Sequence, residues 1–82
     1  MKARVTVTLK SGILDPQGKA IEGALRSLAI EGIKSVRQGK IFDIEIDAPD
    51  EERTRKALSE ACERLLANTI VENYAIEIVR RP

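Results

Sequence analysis

The sequence predicts a small α+β domain, with two helices lying on one face of an antiparallel sheet. Three observations carry that expectation. Apolar and polar residues alternate with period two near the start, the middle and the end of the chain. Apolar residues between those stretches recur at helical spacing, and each half of the chain reads strand, helix, strand. This βαβ–βαβ order is that of a ferredoxin-like sandwich. The 82 residues make one domain, 1–82, and 43% apolar with 33% charged residues is a globular composition. A chain of this length buries only about 60–65% of the surface it exposes when unfolded, so association would help it.

The first strand is marked by Ala3, Val5, Val7 and Leu9 alternating with Arg4, Thr6, Thr8 and Lys10. A loop from Gly12 to Gly18 follows, and Asp15-Pro16 starts a helix. The carboxylate can accept from the amides of Gln17 or Gly18, and Pro16 at the first helical position has no donor to waste. Capping does not explain two features of this loop. Ile13 and Leu14 are large apolar residues in a connection, and Gly18 costs roughly 1 kcal/mol relative to Ala in a first helical turn. Both point to a surface that comes close to the backbone. The helix is predicted over residues 16 to about 31, with Ile21, Ala24, Leu25 and Leu28 as its buried stripe. Glu22 and Arg26 pair on its outside, and Gly32 stops it.

The middle strand rests on Phe42, Ile44 and Ile46 alternating with Asp43, Glu45 and Asp47. Upstream, Val36 keeps the same parity while Gln38 and Lys40 interrupt the apolar run around Gly39. Gly39 either closes a hairpin or marks a bulge in one long bent strand over residues 35–47. The long strand is favoured, because a Gln38-Gly39 hairpin sets Arg37 opposite Lys40 and is not a preferred turn dipeptide. Such a strand spans about 43 Å, against about 26 Å for the first strand. The excess can be paired only by a second copy, which predicts a segment-swapped dimer.

The second helix is predicted to start near residues 47–49 and to end at Asn68. Asp50, Glu51 and Glu52 lie at its positive end, and Glu51–Arg55, Glu52–Lys56 and Glu60–Arg64 are i, i+4 pairs. Leu58, Ala61, Cys62 and Leu65 form its apolar stripe, and Asn68 supplies a left-handed cap. Thr69-Ile70-Val71 is a second apolar connection. The last strand has Tyr74, Ile76 and Ile78 on one face, with Ala75 and Val79 making the other partly apolar.

Catalytic groups are scarce. With no histidine, Ser-His and Cys-His nucleophile pairs and His-ligated metals are excluded. The lone Cys62 falls in a helical stripe and reads as a small buried hydrophobe. The helix carboxylates are spaced as solvated ion pairs, so neither a catalytic residue nor a metal site is expected. Gly12 and Gly18 match neither a P-loop nor a dinucleotide fingerprint. Arg37 and Lys40 beside Gly39 suit an anion or an acidic partner. Fourteen basic against 13 acidic residues, and only Phe42 and Tyr74 as aromatics, leave no basis for binding nucleic acid or an anionic membrane. No apolar run reaches transmembrane length and no signal-peptide pattern opens the chain, so a cytoplasmic location is expected.

Three motifs taken in order resemble one family. They are Leu9-Lys10-x-Gly12-Ile13-Leu14-Asp15-Pro16-Gln17-Gly18, then Val36-Arg37-x-Gly39-Lys40, then Cys62-Glu63-x-Leu65-Leu66-Ala67-Asn68-x-Ile70-Val71-Glu72-Asn73-Tyr74. The chain is similar to PurS, the small subunit of phosphoribosylformylglycinamidine (FGAM) synthase, over its whole length. The resemblance implies a non-catalytic subunit of de novo purine biosynthesis that forms dimers or tetramers. It implies that the subunit bridges a glutaminase subunit and a synthetase subunit so that ammonia passes between them. It further implies no cofactor on this subunit, ATP, magnesium and glutamine being used by the complex. Carried onto this chain, the motifs give three interface candidates: Ile13, Leu14, Asp15, Pro16, Gln17 and Gly18; then Arg37, Gly39 and Lys40; then Asn68, Ile70, Glu72 and Tyr74. A ferredoxin-like dimer that binds a small metabolite as a regulatory module is the alternative reading.

Overall fold

A computed structural model describes residues 1–79; residues 80–82, which carry none of the motifs, lie outside the described part. The elements are β1 (Lys2–Leu9), α1 (Pro16–Ser27), β2 (Gly39–Glu45), α2 (Glu51–Ala61), a π-helical turn (Cys62–Leu66) and β3 (Glu72–Val79). The sheet is antiparallel in the order β2-β1-β3. Its register stacks Val5 between Phe42 and Ile76, and Val7 between Lys40 and Tyr74. The alternation read from the sequence therefore puts one apolar row across all three strands. Ala3, Val5 and Val7 are buried on that face under Leu58, Cys62 and Ala67, with Phe42, Ile44, Leu66, Tyr74 and Ile76 packed around them. No helix among the described residues is long and apolar enough to cross a membrane.

Several expectations are corrected. The strand over residues 35–47 is paired only as Gly39–Glu45, and it lies at the sheet edge, leaving β1 central. Thr8 faces Gly39 at its start and Lys2 faces Glu45 at its end. Gly39 is neither turn nor bulge. It opens the paired strand, the register is regular from Gly39 onward, and its φ is not positive. It is glycine because a Cβ there would stand 2.7 Å from the Val7 carbonyl oxygen.

Helix α1 ends at Ser27, before the expected residue 31. Ala29, at φ 59°, takes the left-handed position assigned to Gly32. The Ile30 and Ala29 amides donate to the Leu25 and Arg26 carbonyls, which is a Schellman closure. Helix α2 also stops early, at Ala61, where the amide of Ala67 reaches back five residues to the carbonyl of Cys62. This wide turn shifts the inward face by one residue, so Leu66 joins the core and Leu65 is 81% exposed. Asn68 is not left-handed.

The helices are not equivalent. Helix α2 packs on the sheet beside β3, whereas α1 has no comparable interface with the sheet of its own chain. Its Ile21 and Leu28 are exposed, the latter at 69%. Residues 33–38 instead run back along α1 as a strap. The radius of gyration is 16.2 Å and the long dimension is 50 Å. A compact chain of this length has a radius of gyration of about 12 Å.

Candidate functional site: one pole of the sheet

The three groups of motif residues lie far apart in sequence and meet at one end of the sheet. The antiparallel register brings them there: β1 ends where β2 and β3 begin, with Thr8 opposite Gly39 and Leu9 opposite Glu72. Three further bonds tie the connections together. The Lys10 amide donates to the Val71 carbonyl at 2.8 Å, Arg37 Nη2 to the Lys10 carbonyl at 3.1 Å, and Lys40 pairs with Glu72 at 3.9 Å.

The first connection is stiff. The Ile13 amide closes on the Lys10 carbonyl at 3.1 Å, and Gly12 at φ 89° takes the left-handed third position of a type II turn. Ile13 is half-buried, whereas Leu14 stands 70% exposed at the tip. Asp15 is buried. Its Oδ1 accepts from the Gly18 amide at 2.9 Å, as the Asp-Pro helix start predicts, and its Oδ2 accepts from the Gln38 amide at 2.7 Å. Those two donors, Gln38 first, hold its carboxyl below the usual aspartate value despite burial, with Arg37 assisting.

Gly18 faces inward, where a Cβ would collide with the Val36 carbonyl oxygen. The surface that requires this glycine is the chain's own strap. Pro16 and Gln17 are exposed beside it.

Glu22 was missed by the sequence reading, which placed it outside as a partner of Arg26. It is buried, accepts the Val36 amide at 2.9 Å and pairs with Lys19 at 3.6 Å. The Val36 amide first, then Lys19 and Arg26, hold its carboxyl below the ordinary glutamate value. No local signal distinguishes it, since its partner lies fourteen residues away.

The third connection is a braced tip. The Asn68 side chain accepts the Ile70 amide at 3.3 Å, its carbonyl accepts the Glu72 amide at 2.7 Å, and its own amide donates to the Glu72 carboxylate at 2.6 Å. Ile70 is left 83% exposed. Tyr74 does not join this pole. It packs in the core, where hydrogen bonding to Glu63 and burial raise its hydroxyl pKa. Burial likewise pushes the Cys62 thiol up, so it is a poor nucleophile.

Between the connections lies a cavity of about 330 Å³ lined by Val7, Leu9, Asp15, Gln17, Gln38, Lys40 and Glu72 among others. A larger hollow of about 800 Å³ lies at the opposite end, around Met1 and Asp47, and touches no motif residue. Among the described residues no group of three His, Cys, Asp or Glu side chains is placed to hold a metal ion. The pole offers apolar tips on rigid turns, with its charges and amides mostly paired to one another.

The chain is an α+β protein of ferredoxin-like layout. Comparison with known proteins gives its family. The family model for PurS, described as phosphoribosylformylglycinamidine (FGAM) synthase, matches residues 2–80. The chain is 48% identical to the PurS subunit of Mycobacterium leprae, covering 92% of this chain and 91% of that one. It is 43% identical to that of Synechocystis, covering 92% and 75%. The Methanocaldococcus jannaschii PurS crystal structure superposes with a TM-score of 0.88 at 36% identity, covering 99% of this chain and 98% of that one. A chain of the structure described as PurLQS from Thermotoga maritima superposes with a TM-score of 0.86 at 34% identity, covering 93% of each. The chain belongs to the PurS family.

Proposed function

We propose that this chain is the small, non-catalytic subunit of an FGAM synthase, holding a glutaminase and a synthetase in register so that ammonia passes between them. Membership of the PurS family over residues 2–80 is the observation that carries the proposal. The relatives are named as that subunit, and the Thermotoga maritima relative has been described within PurLQS. Ammonia is a nucleophile only while unprotonated, so a bridge that keeps two active sites together protects the transfer from water. ATP, magnesium and glutamine belong to the partner subunits in this reading, and the compartment is the cytoplasm.

The working form is a dimer in which α1 and the strap cover the sheet of a second copy. Two features support it. Among the described residues Ile21, Ala24 and Leu28 of the α1 stripe are exposed and Leu25 is only half-buried, as are Phe42 and Ile44 beside the β2 edge. The β2 edge is also open. Met1 and Ile46 exchange both backbone hydrogen bonds, so by alternation Gly39, Ile41, Asp43 and Glu45 direct their amides and carbonyls outward.

Leu14 and Ile70 are the partner-facing tips. Leu14→Asp and Ile70→Asp leave the isolated chain folded by circular dichroism and abolish its co-sedimentation with the cognate synthetase and glutaminase. Unfolding of the isolated variants, or full assembly by both, contradicts the assignment. The cavity at the pole is the one feature favouring a metabolite-binding module instead. A strong thermal shift with a free amino acid or nucleotide, and no assembly with the two enzymes, would establish that reading.

A further inference from the structure

The segment from α1 to the strap is an arm joined to the rest of the chain at two crossings, residues 10–15 on the way out and residues 38–39 on the way back. Asp15 sits in the first crossing and grips the second, through the 2.7 Å bond from the Gln38 amide. We propose that Asp15 is a latch that holds the Gln38-Gly39 hinge open, so that the arm reaches a second copy and does not fold back as a hairpin on its own β2. This rests on the dimer reading above and adds the residue that enforces it.

The competing form is explicit. A chain reversal at Gln38-Gly39 would lay residues 33–38 along the outward edge of the same β2 and swing α1 over the same sheet, giving a closed monomer. Two-residue hairpins need positive φ at one or both turn positions. Neither Gln38 nor Gly39 has it here, since the positive-φ residues are Gly12, Ala29 and Gly32.

Three contacts oppose the reversal, and each fixes a different atom of the hinge. Asp15 Oδ2 holds the Gln38 amide. Gly39 is pressed against the Val7 carbonyl, where a Cβ would stand at 2.7 Å. Arg37 Nη2 is tied to the Lys10 carbonyl at 3.1 Å, away from the position opposite Lys40 that a hairpin would give it. Within the arm, Glu22 holds the Val36 amide at 2.9 Å and Gly18 admits the Val36 carbonyl, so the strap moves with α1 as one piece. Asp15 joins the arm's start to its end through the backbone of Gln38, beside the side-chain tie from Arg37 to Lys10.

The cap and the latch use different oxygens of one carboxylate, which makes them separable. Asn caps a helix about as well as Asp but has a single acceptor oxygen. Asp15→Asn therefore keeps the bond from Gly18 and turns an NH2 donor toward the Gln38 amide. Gln38→Asn places a favoured Asn-Gly pair at the hinge without touching the latch.

Sedimentation equilibrium on the wild type, each single variant and the double variant tests the proposal. Wild type and Gln38→Asn remain dimers, and the double variant dimerises at least tenfold more weakly with its helix content kept. Hydrogen exchange supplies a second readout, with the Gln38 amide exchanging at least tenfold faster in Asp15→Asn than in wild type. Equal dimerisation of all four proteins, or an unchanged Gln38 amide, overturns the latch while leaving the dimer standing. A monomeric wild-type chain overturns both.

Discussion

Two buried carboxylates and one glycine decide how the strap lies on α1. Gly18 is the sharpest test, because a glycine in a first helical turn is ordinarily improved by alanine. Gly23 sits on the same helix with open space around its Cβ position, whereas at Gly18 the Val36 carbonyl occupies that position. Gly23→Ala is expected to stabilise by about 0.5–1 kcal/mol, and Gly18→Ala to destabilise by about 1–3 kcal/mol, in urea denaturation at fixed protein concentration. Ala29, left-handed at φ 59°, predicts the opposite swap, with Ala29→Gly gaining about 1 kcal/mol. Asp15 and Glu22 both titrate lower folded than unfolded. Their grip is therefore complete above the ordinary carboxylate range, about pH 4, and is lost as pH falls through the depressed folded values. Arg37 at Asp15, and Lys19 and Arg26 at Glu22, favour the ionised carboxylates. Protection of the Val36 and Gln38 amides is expected to be flat at neutral pH and to vanish only in acid. At this scale the cap at Asp15 was legible because its partner lies three residues away. The partners of Gly18 and Glu22 were not, because the strap that supplies them is remote in sequence.

Elements were easier to find than to end. The alternation of β1 and β3 and the Leu58 and Cys62 positions of α2 mark residues that face inward, and the structure keeps those faces. The ends depend on what each element meets. Strand β2 begins only after Gln38, whose amide is taken by Asp15, α1 stops where the chain must return to deliver Val36 and Gln38, and α2 widens into a π turn. That last change separates two adjacent leucines. A regular helix would bury Leu65 and expose Leu66, whereas the π turn does the reverse. Leu65→Ala is expected to change stability by less than about 0.5 kcal/mol, while Leu58→Ala, at a buried position, costs about 2–5 kcal/mol. A comparable loss at Leu65 would mean that α2 continues as a regular helix. The interface motifs show the same division. Their residue types were legible as loops with unexplained apolar side chains, but their meeting at one pole follows from the sheet register, which no single segment encodes.

The single chain is a partial object at the scale of the whole molecule. Its 50 Å length, uncovered α1 stripe and open β2 edge all leave surface that a globular domain would bury. The long strand over residues 35–47 that predicted a second copy is cut to Gly39–Glu45, and the strap before it is held by carboxylates and not by a sheet, so the proposed dimer rests on the exposed stripe and the open edge. In the proposed assembly the pole with Leu14 and Ile70 is the surface left for the larger partners. In the proposed role this chain couples two enzymes without performing chemistry itself. The most direct test of that role is turnover by the cognate synthetase and glutaminase, measured with glutamine and with ammonium as nitrogen source, with and without this chain. Glutamine-dependent turnover is expected to require the chain, while ammonium-dependent turnover does not. Full glutamine-dependent turnover in its absence would rule out the bridging role.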